Sequence, residues 1–120
     1  MTLDNKTNQN IVRLVKYLKA RSRNKSAPIW RDVAERLEKP SKNWAEVNLS
    51  TIQRFAKEGD TVLVPGKVLG AGYLSKKVNI GSFSISQGAR KKVEDAGGSY
   101  MDIREMAKKN PKGSGIRIMG

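Results

Sequence analysis

The sequence contains no cysteine and no histidine in its 120 residues. Without cysteine there is no disulfide framework and no thiolate metal site, and without histidine the chain lacks the commonest metal ligand and the usual general base. No apolar run is long enough to span a membrane, and the N-terminal stretch lacks the apolar segment of a signal peptide. We therefore expect a cytoplasmic protein without membrane segment, metal or cofactor.

Acidic residues are few and unevenly distributed. There are 11 Asp and Glu against 24 Lys and Arg, a formal net charge of +13. Three windows contain no acid, namely residues 5–31 with eight basic residues, 61–93 with six and 106–120 with four. Because a chain made basic only for solubility would scatter its acids, we interpret these windows as contact surface for a polyanion. The alternative is that they are solvated faces whose acidic neighbours arrive only on folding.

The N-terminal part of the chain is interpreted as an arm followed by helices. Residues 1–9 are polar and aperiodic and are expected to form a flexible arm. Apolar residues spaced i, i+3, i+4 and i+7 predict a helix over residues 10–20. A second stripe of this kind predicts a helix that starts near Pro28 and is stopped by Pro40, with Trp30 as a packing residue rather than a base-stacking one.

The middle of the chain is expected to continue with a loop, a short helix and strands. Residues 41–47 are predicted to be the loop, and Ser50 is suited to cap the helix, whose inward residues would be Ile52, Phe55 and Ala56. A strand is predicted at 61–64 from its β-branched residues, cut by Pro65-Gly66 and resumed at 68–69.

Strands and helices alternate in the remainder. We predict a strand at 78–80, a helix capped by Ser86, a brief strand at 100–101 and a helix over 103–109 capped by Asp102. The fold class is therefore α/β, with N-terminal helices followed by strand and helix units, and residues 10–120 are expected to form one domain.

The C-terminal residues 111–120 form a basic tail that allows two interpretations. Proline and glycine with little apolar area predict a segment that is mobile in the free protein and ordered on assembly. The alternation of Ile116 and Ile118 with Arg117 favours instead a strand that completes the protein's own sheet.

Glycine motifs are present but incomplete as nucleotide sites. Gly66-Lys67 lacks the remainder of a phosphate-binding loop, and Gly70-Ala71-Gly72 is only a fragment of the dinucleotide fingerprint. We expect Gly66, Gly70 and Gly72 to allow close approach of another backbone, either the protein's own or that of a nucleic acid. No catalytic constellation is apparent, so we expect neither an enzyme nor a small-molecule substrate.

Several motifs in fixed order resemble a known family. They are residues 64–72 (VPGKVLGAG), 83–86 (FSIS), 89–93 (ARKKV), 96–98 (AGG) and 110–115 (NPKGSG). With these motifs the chain resembles, over residues 10–120, the archaeal form of large-subunit ribosomal protein eighteen-e. The second half resembles more loosely the C-terminal part of bacterial large-subunit ribosomal protein fifteen.

The resemblance implies N-terminal helices followed by an irregular superhelix of β-β-α units, and a structural role in the large ribosomal subunit. The implied partners are large-subunit rRNA and neighbouring ribosomal proteins, with RNA bound by phosphate neutralisation and by shape. The residues expected to contact rRNA are Arg13, Lys16, Lys19, Arg21, Arg23, Lys25, Lys67, Lys76, Lys77, Arg90, Lys91, Lys92, Lys112, Ser114 and Arg117.

One alternative is a DNA-binding protein. Residues 29–59 offer helix, turn and helix, and Thr51, Gln53 and Arg54 would then read DNA. Five acids lie in this stretch and the basic windows lie almost entirely outside it, which favours the ribosomal interpretation.

Overall fold

The computed structural model describes residues 9–120, which divide into two compact units. The first unit contains the described residues up to Trp44 together with Arg104–Ser114, and the second contains Ala45–Ile103 together with Gly115–Gly120. The predicted arm of residues 1–9 lies outside the described residues except for Gln9, which begins a helix. The single domain over residues 10–120 stays a prediction.

The element order confirms the predicted α/β class, with helices first and a β-β-α segment later. The helices are α1 (Gln9–Lys25), α2 (Pro28–Leu37), α3 (Leu49–Phe55), α4 (Gln87–Asp95) and α5 (Ile103–Lys109), with a 3-10 turn at Ser41–Asn43. The strands are β1 (Ala45–Asn48), β2 (Thr61–Leu69), β3 (Asn79–Ile85), β4 (Ser99–Asp102) and β5 (Ile116–Ile118). Among residues 9–120, no helix combines the length and apolarity that crossing a bilayer requires.

The first unit is built on the two predicted apolar stripes. Leu14, Val15 and Leu18 are the buried residues of α1, and Trp30, Val33, Ala34 and Leu37 are those of α2. The packing role predicted for Trp30 is confirmed, since the side chain is fully buried and its Nε1 donates to the Pro111 carbonyl at 2.8 Å.

Helix α1 is longer than predicted. It continues past Ala20 to Lys25, and Ser26 then adopts a positive φ of 51° just before α2. Its last residues are basic and polar, which the apolar pattern does not detect. Arg23 and Lys25 in the last turn face the negative end of the helix dipole, so their charge favours continuation.

The second unit is a five-stranded parallel sheet covered by helices. The order is β1-β2-β3-β4, and β5 also pairs with β2. The C-terminal half of β2 pairs with β1, and its first three residues pair with β5. The core combines inward residues of the sheet with those of α3 and α4, including Val62, Val64, Val68, Ile80, Leu49, Ile52, Ala89 and Val93.

Strand β2 is continuous, so the predicted interruption at Pro65-Gly66 is wrong. The pairing with β3 shifts its register between Val64 and Lys67, where β2 has one extra residue. A bulge of this kind accommodates a proline that has no N–H for the ladder, and the chain therefore remains in the sheet.

Two further predictions need correction at the neighbouring strands. Residues 41–47 are not all loop, because β1 begins at Ala45, and its short sequence with one buried apolar residue, Val47, carries little strand signal. The strand predicted at 78–80 begins at Asn79 and continues to Ile85.

Helix α3 also differs from the prediction. It begins at Leu49 with Asn48 as N-cap, and the backbone N–H of Ser50 donates to the Ala71 carbonyl at 3.1 Å, so Ser50 is not the cap. Ile52 is buried as predicted, but Phe55 is 56% exposed. Leu49 and Ile52 set the inward face of this short helix, and Phe55 lies beside that face.

Other local predictions are confirmed. The Ser86 side chain caps α4 by accepting from the Ala89 N–H at 3.2 Å. Gly97 has φ of +87° directly after the C-cap of α4, in the left-handed conformation that glycine favours.

The C-terminal segment forms a strand of the protein's own sheet, which is the second of the two interpretations given for it. Ile116–Ile118 is strand β5, with Ile116 opposite Thr61 of β2, and the Met119 N–H donates to the Leu63 carbonyl at 3.0 Å. The expectation that this segment is too poor in apolar area to order itself is wrong for residues 116–119, because the backbone of β2 supplies hydrogen bonds and Met119 is buried.

The helix-turn-helix alternative is also wrong. Between α2 and α3 lie a 3-10 turn and strand β1, where the motif requires a turn of about three or four residues. The Gln53 side chain, which was to read DNA, is hydrogen-bonded to Ser75.

Candidate nucleic-acid interface

Helix α1 presents a cationic face opposite its buried stripe. Arg13, Lys16 and Arg23 are exposed at positions i, i+3 and i+10, and Lys25 is exposed at the end of the helix. No carboxylate oxygen of residues 9–120 lies within the 4.0 Å ion-pair distance of these four side chains. Their charge is therefore uncompensated in the described chain and available to an anionic partner.

The other two predicted cations of α1 have partners. Lys19 Nζ lies 2.8 Å from Glu38 Oε2 in a partly exposed ion pair. Arg21 donates to the Tyr17 hydroxyl and places its guanidinium carbon 5.2 Å from the centre of the Tyr17 ring. Arg21 Nε is buried and has no hydrogen-bond partner within the described residues.

Arg104, which the sequence analysis missed, joins this cluster. Its guanidinium carbon lies 4.6 Å from the centre of the Tyr17 ring, so two arginines contact one aromatic side chain. Asp102 and Glu105 flank Arg104 in the sequence and keep it outside the acid-free windows. No sequence signal pairs residues 17 and 104; only the fold brings them together.

In the second unit, Lys76 and Lys92 bond the protein's own loop, and their contact with RNA stays a prediction. Lys76 Nζ donates to the carbonyls of Gln53 and Ala56, both at 2.7 Å, at the C-terminal end of α3. Lys92 Nζ donates to the carbonyls of Gly70 and Gly72 at 2.8 and 2.7 Å. These ammonium groups connect residues 70–76 to α3 and α4.

Three more of the predicted cations are ion-paired on the surface. Arg90 pairs with Glu94 at 3.3 Å, Lys91 with Asp95 at 3.4 Å, and Arg117 with Asp60 at 3.7 Å. Exposed pairs of this type contribute little stability, but they reduce the local field that an RNA phosphate would meet.

Lys67, Lys77 and Lys112 are exposed, and they have no carboxylate of residues 9–120 within ion-pair distance. Lys67 is the one exposed residue of β2. Ser114 is exposed in a turn that Asn110 closes by bonding both the N–H and the carbonyl of Ser114. Lys112 lies in the same turn and adds a positive charge to it.

The three glycines make their close approach to the protein itself. A Cβ on Gly66 would lie 2.1 Å from the Ala45 carbonyl oxygen, and one on Gly70 would lie 3.0 Å from the Ala89 nitrogen. Gly72 has φ of +89°, and a Cβ there would lie 2.6 Å from Ser50 Cβ. The intramolecular interpretation is thus the one that the geometry bears out, and contact of these glycines with RNA stays a prediction.

The described residues offer no cluster of metal ligands. Residues 9–120 contain no group of three or more carboxylate side chains that could hold a metal ion. Burial raises the pKa of Tyr100 above its usual 10.0, and its hydroxyl is hydrogen-bonded to the Ser82 side chain and carbonyl. This is a structural contact within the sheet.

The comparison with known proteins agrees with these features. The family described as "Ribosomal protein 60S L18 and 50S L18e" matches residues 2–120. The chain is 50% identical over 114 residues to the "Large ribosomal subunit protein eL18" of Methanoregula boonei, covering 95% of this chain and 94% of the relative. Proteins of the same description from Archaeoglobus fulgidus and Thermoplasma acidophilum are 48% and 42% identical, with 95% and 99% of this chain covered and 97% and 99% of the relatives.

Proposed function

Because the chain belongs to the family of ribosomal protein 60S L18 and 50S L18e, we propose that it is a structural constituent of the large ribosomal subunit, binds and stabilises large-subunit rRNA, and so supports translation. Its partners are that rRNA and neighbouring ribosomal proteins, and its place is the ribosome in the cytoplasm. In this role it acts through binding alone, without enzymatic activity.

The observation that carries the proposal is the uncompensated cationic face of α1. Arg13, Lys16, Arg23 and Lys25 are exposed, and no described carboxylate pairs with them. Four positive charges along one helix attract a phosphate backbone, and each neutralised phosphate releases counterions. Since side chains cannot read the deep major groove of A-form RNA, contacts of this type recognise its shape.

The Tyr17, Arg21 and Arg104 cluster supports the same partner. Two guanidinium groups near one ring repel each other, and a buried Arg21 Nε without a hydrogen-bond partner costs desolvation free energy. A phosphate beside the cluster would offset the repulsion between the two guanidinium groups, because such groups bind phosphate oxygens with two parallel hydrogen bonds. We include Arg104 with the contact residues for this reason.

The remaining predicted contacts divide into two groups. Lys67, Lys77, Lys112 and Ser114 are exposed and extend the interface outside α1. Lys76 and Lys92 act mainly on the protein side, where they hold residues 70–76 in place. Arg90, Lys91 and Arg117 contact RNA only by exchanging their carboxylate partners, so we expect them to contribute less.

The test is the salt dependence of binding to transcripts that tile archaeal large-subunit rRNA. In one variant, Arg13, Lys16, Arg23 and Lys25 are all replaced by Gln. At about 0.7 to 0.9 per phosphate contact, the slope of log K against log salt should become shallower by about 3.

The matched control removes the same net charge from ion-paired positions. It replaces Arg31, Arg36, Arg90 and Lys91 by Gln, and each of these has an i,i+4 carboxylate partner. We expect its slope to change by less than about 1. Equal slopes for the two variants would show that only net charge matters and that α1 is not the contact surface.

A further inference from the structure

Two large aromatic side chains remain outside the core of the second unit. Tyr73 is 67% exposed and Phe55 is 56% exposed, whereas Trp30 is fully buried. An exposed aromatic ring gives up the burial free energy that a core position would supply. Its position on a strongly basic chain therefore invites a functional explanation.

Tyr73 lies on a loop that is held firmly against α3. The Ser50 N–H donates to the Ala71 carbonyl at 3.1 Å. Two further hydrogen bonds join Gln53 and Ser75, one from the Ser75 N–H to Gln53 Oε1 at 2.9 Å and one from Gln53 Nε2 to Ser75 Oγ at 3.0 Å. The residues on both sides of Tyr73 are thus fixed to the helix that ends in Phe55.

Two lysines complete the support of this loop. Lys76 Nζ bonds the α3 carbonyls of Gln53 and Ala56, and Lys92 Nζ bonds the carbonyls of Gly70 and Gly72. The backbone around Tyr73 is therefore ordered before any partner binds. A preorganised aromatic loses little conformational entropy on binding.

A cleft opens beside the Tyr73 ring. Its volume is about 420 Å³, and it is lined by Tyr73, Leu74, Ser75, Lys92, Asp95 and Ala96. This volume falls within the range of small-ligand sites, which is about 300 to 1,000 Å³. The lining combines the Tyr73 ring and the apolar Leu74 and Ala96 with the polar side chains of Ser75, Lys92 and Asp95.

The charge around the two rings favours an anionic partner. The Arg54 guanidinium carbon lies 5.2 Å from the centre of the Phe55 ring and covers part of it. Lys57 and Lys77 are exposed nearby along the sequence, and the neighbouring Glu58 accepts the Lys77 N–H at 3.1 Å. The combination of stacked ring, guanidinium and lysines is typical of surfaces that bind single-stranded nucleic acid.

We propose that Tyr73 and Phe55 are stacking positions for unpaired bases of large-subunit rRNA, with the base on Tyr73 seated in the adjacent cleft. The inference rests on the proposed function and deepens it, because it assigns base contacts to a surface separate from the phosphate contacts of α1. Sequence-specific RNA recognition uses bases splayed onto aromatic side chains, and stacking is open to every base.

The experiment compares two RNA probes with the full chain. One is single-stranded oligouridylate of about 12 nucleotides, and the other is an RNA duplex of equal length. Tyr73→Ala and Phe55→Ala should each weaken binding of the single strand about 5- to 100-fold, while duplex binding stays within about twofold. Since neither variant removes charge, the salt slope of the remaining binding should equal that of the wild type.

Conservative variants separate stacking from apolar packing. Tyr73→Phe keeps the ring and should bind the single strand like the wild type, whereas Tyr73→Leu keeps apolar bulk only and should bind like Tyr73→Ala. Both positions are exposed, so the variants should retain the wild-type melting temperature.

Other outcomes would overturn the inference. Wild-type affinity of both Ala variants for the single strand would exclude stacking, and full rescue by Tyr73→Leu would indicate an apolar surface for a protein neighbour. If the wild type binds the duplex but not the single strand, the proposed function stands and this inference fails. If the wild type binds neither RNA, this inference fails, and the transcripts that tile large-subunit rRNA decide the proposed function.

Discussion

Replacing Gly66 by alanine should destabilise the protein, because a side chain at this position would clash with strand β1. Gly66 of β2 is paired with Ala45 of β1, and a Cβ at Gly66 would lie 2.1 Å from the Ala45 carbonyl oxygen and 2.9 Å from its nitrogen. The obstacle is backbone, which cannot rotate away as a side chain can. Gly66→Ala therefore forces β1 away from β2.

The cost should lie at the upper end of the range for overpacking. Inserting a methyl group into a close-packed site costs about 1–3 kcal/mol. Because the displacement also disturbs the four residue pairs between β1 and β2, we expect a loss of about 3 kcal/mol in the free energy of unfolding. For a chain of this size, that corresponds to a melting temperature about 10 °C lower.

The assay is thermal unfolding followed by circular dichroism, with Gly88→Ala as the matched control. Gly88 lies inside α4, and a Cβ there meets nothing within 4 Å. Alanine is favoured over glycine in a helix interior, so this control should gain about 0.5–1 kcal/mol. A melting temperature of Gly66→Ala within about 2 °C of the wild type, that is, about 0.5 kcal/mol, would refute the argument from close approach.

Three other changes have expected outcomes. Lys76→Met removes the donor to two carbonyls at the end of α3 and should cost about 1–2 kcal/mol in urea unfolding, while the salt slope of RNA binding stays unchanged; a shallower slope would place this ammonium on phosphate instead. Ser86→Ala removes the side-chain cap of α4 and should cost about 1 kcal/mol in the same assay, and an unchanged midpoint would show that the cap contributes nothing. Because burial raises the pKa of Tyr100 above that of the unfolded chain, stability should be full below about pH 10 and fall as the pH rises through the raised pKa; Tyr100→Phe should flatten that fall, and an equal fall in both proteins would assign it to other groups.

Much of the fold follows from local patterns in the sequence. The apolar stripes of α1 and α2 and the Ser86 cap each depend on residues within a few positions of one another. Such signals survive because local chemistry and the final packing favour the same structure.

The strands that were predicted wrongly or left open depend on pairing partners that are distant in sequence. Strand β1 has little β signal of its own and is a strand because β2 offers it a free edge. Pro65 looks like an interruption until the register shift against β3 is known. Strand β5 lies about 50 residues beyond β2 in the sequence, and no local pattern specifies that pairing.

In the candidate interface, too, some features follow from local sequence patterns and others only from the fold. Exposure of Arg13 and Lys16 follows from helix periodicity, since both lie off the apolar stripe. Arg23 and Lys25 lie beyond the stripe, so the apolar pattern does not place them on the helix. That Lys76 and Lys92 bond carbonyl groups about 20 residues away is a tertiary fact. The same holds for Arg104, which contacts Tyr17 from a distant part of the chain.

Co-sedimentation tests most simply whether the protein is a constituent of the large ribosomal subunit. The tagged full chain is mixed with archaeal large subunits stripped of their own copy by a salt wash, and the mixture is run on a sucrose gradient with small subunits as the control. We expect the protein to travel with the large subunit at about one copy per particle and to be released as salt rises. A protein that stays at the top of the gradient, or that binds both subunits equally, would contradict a role in the large subunit.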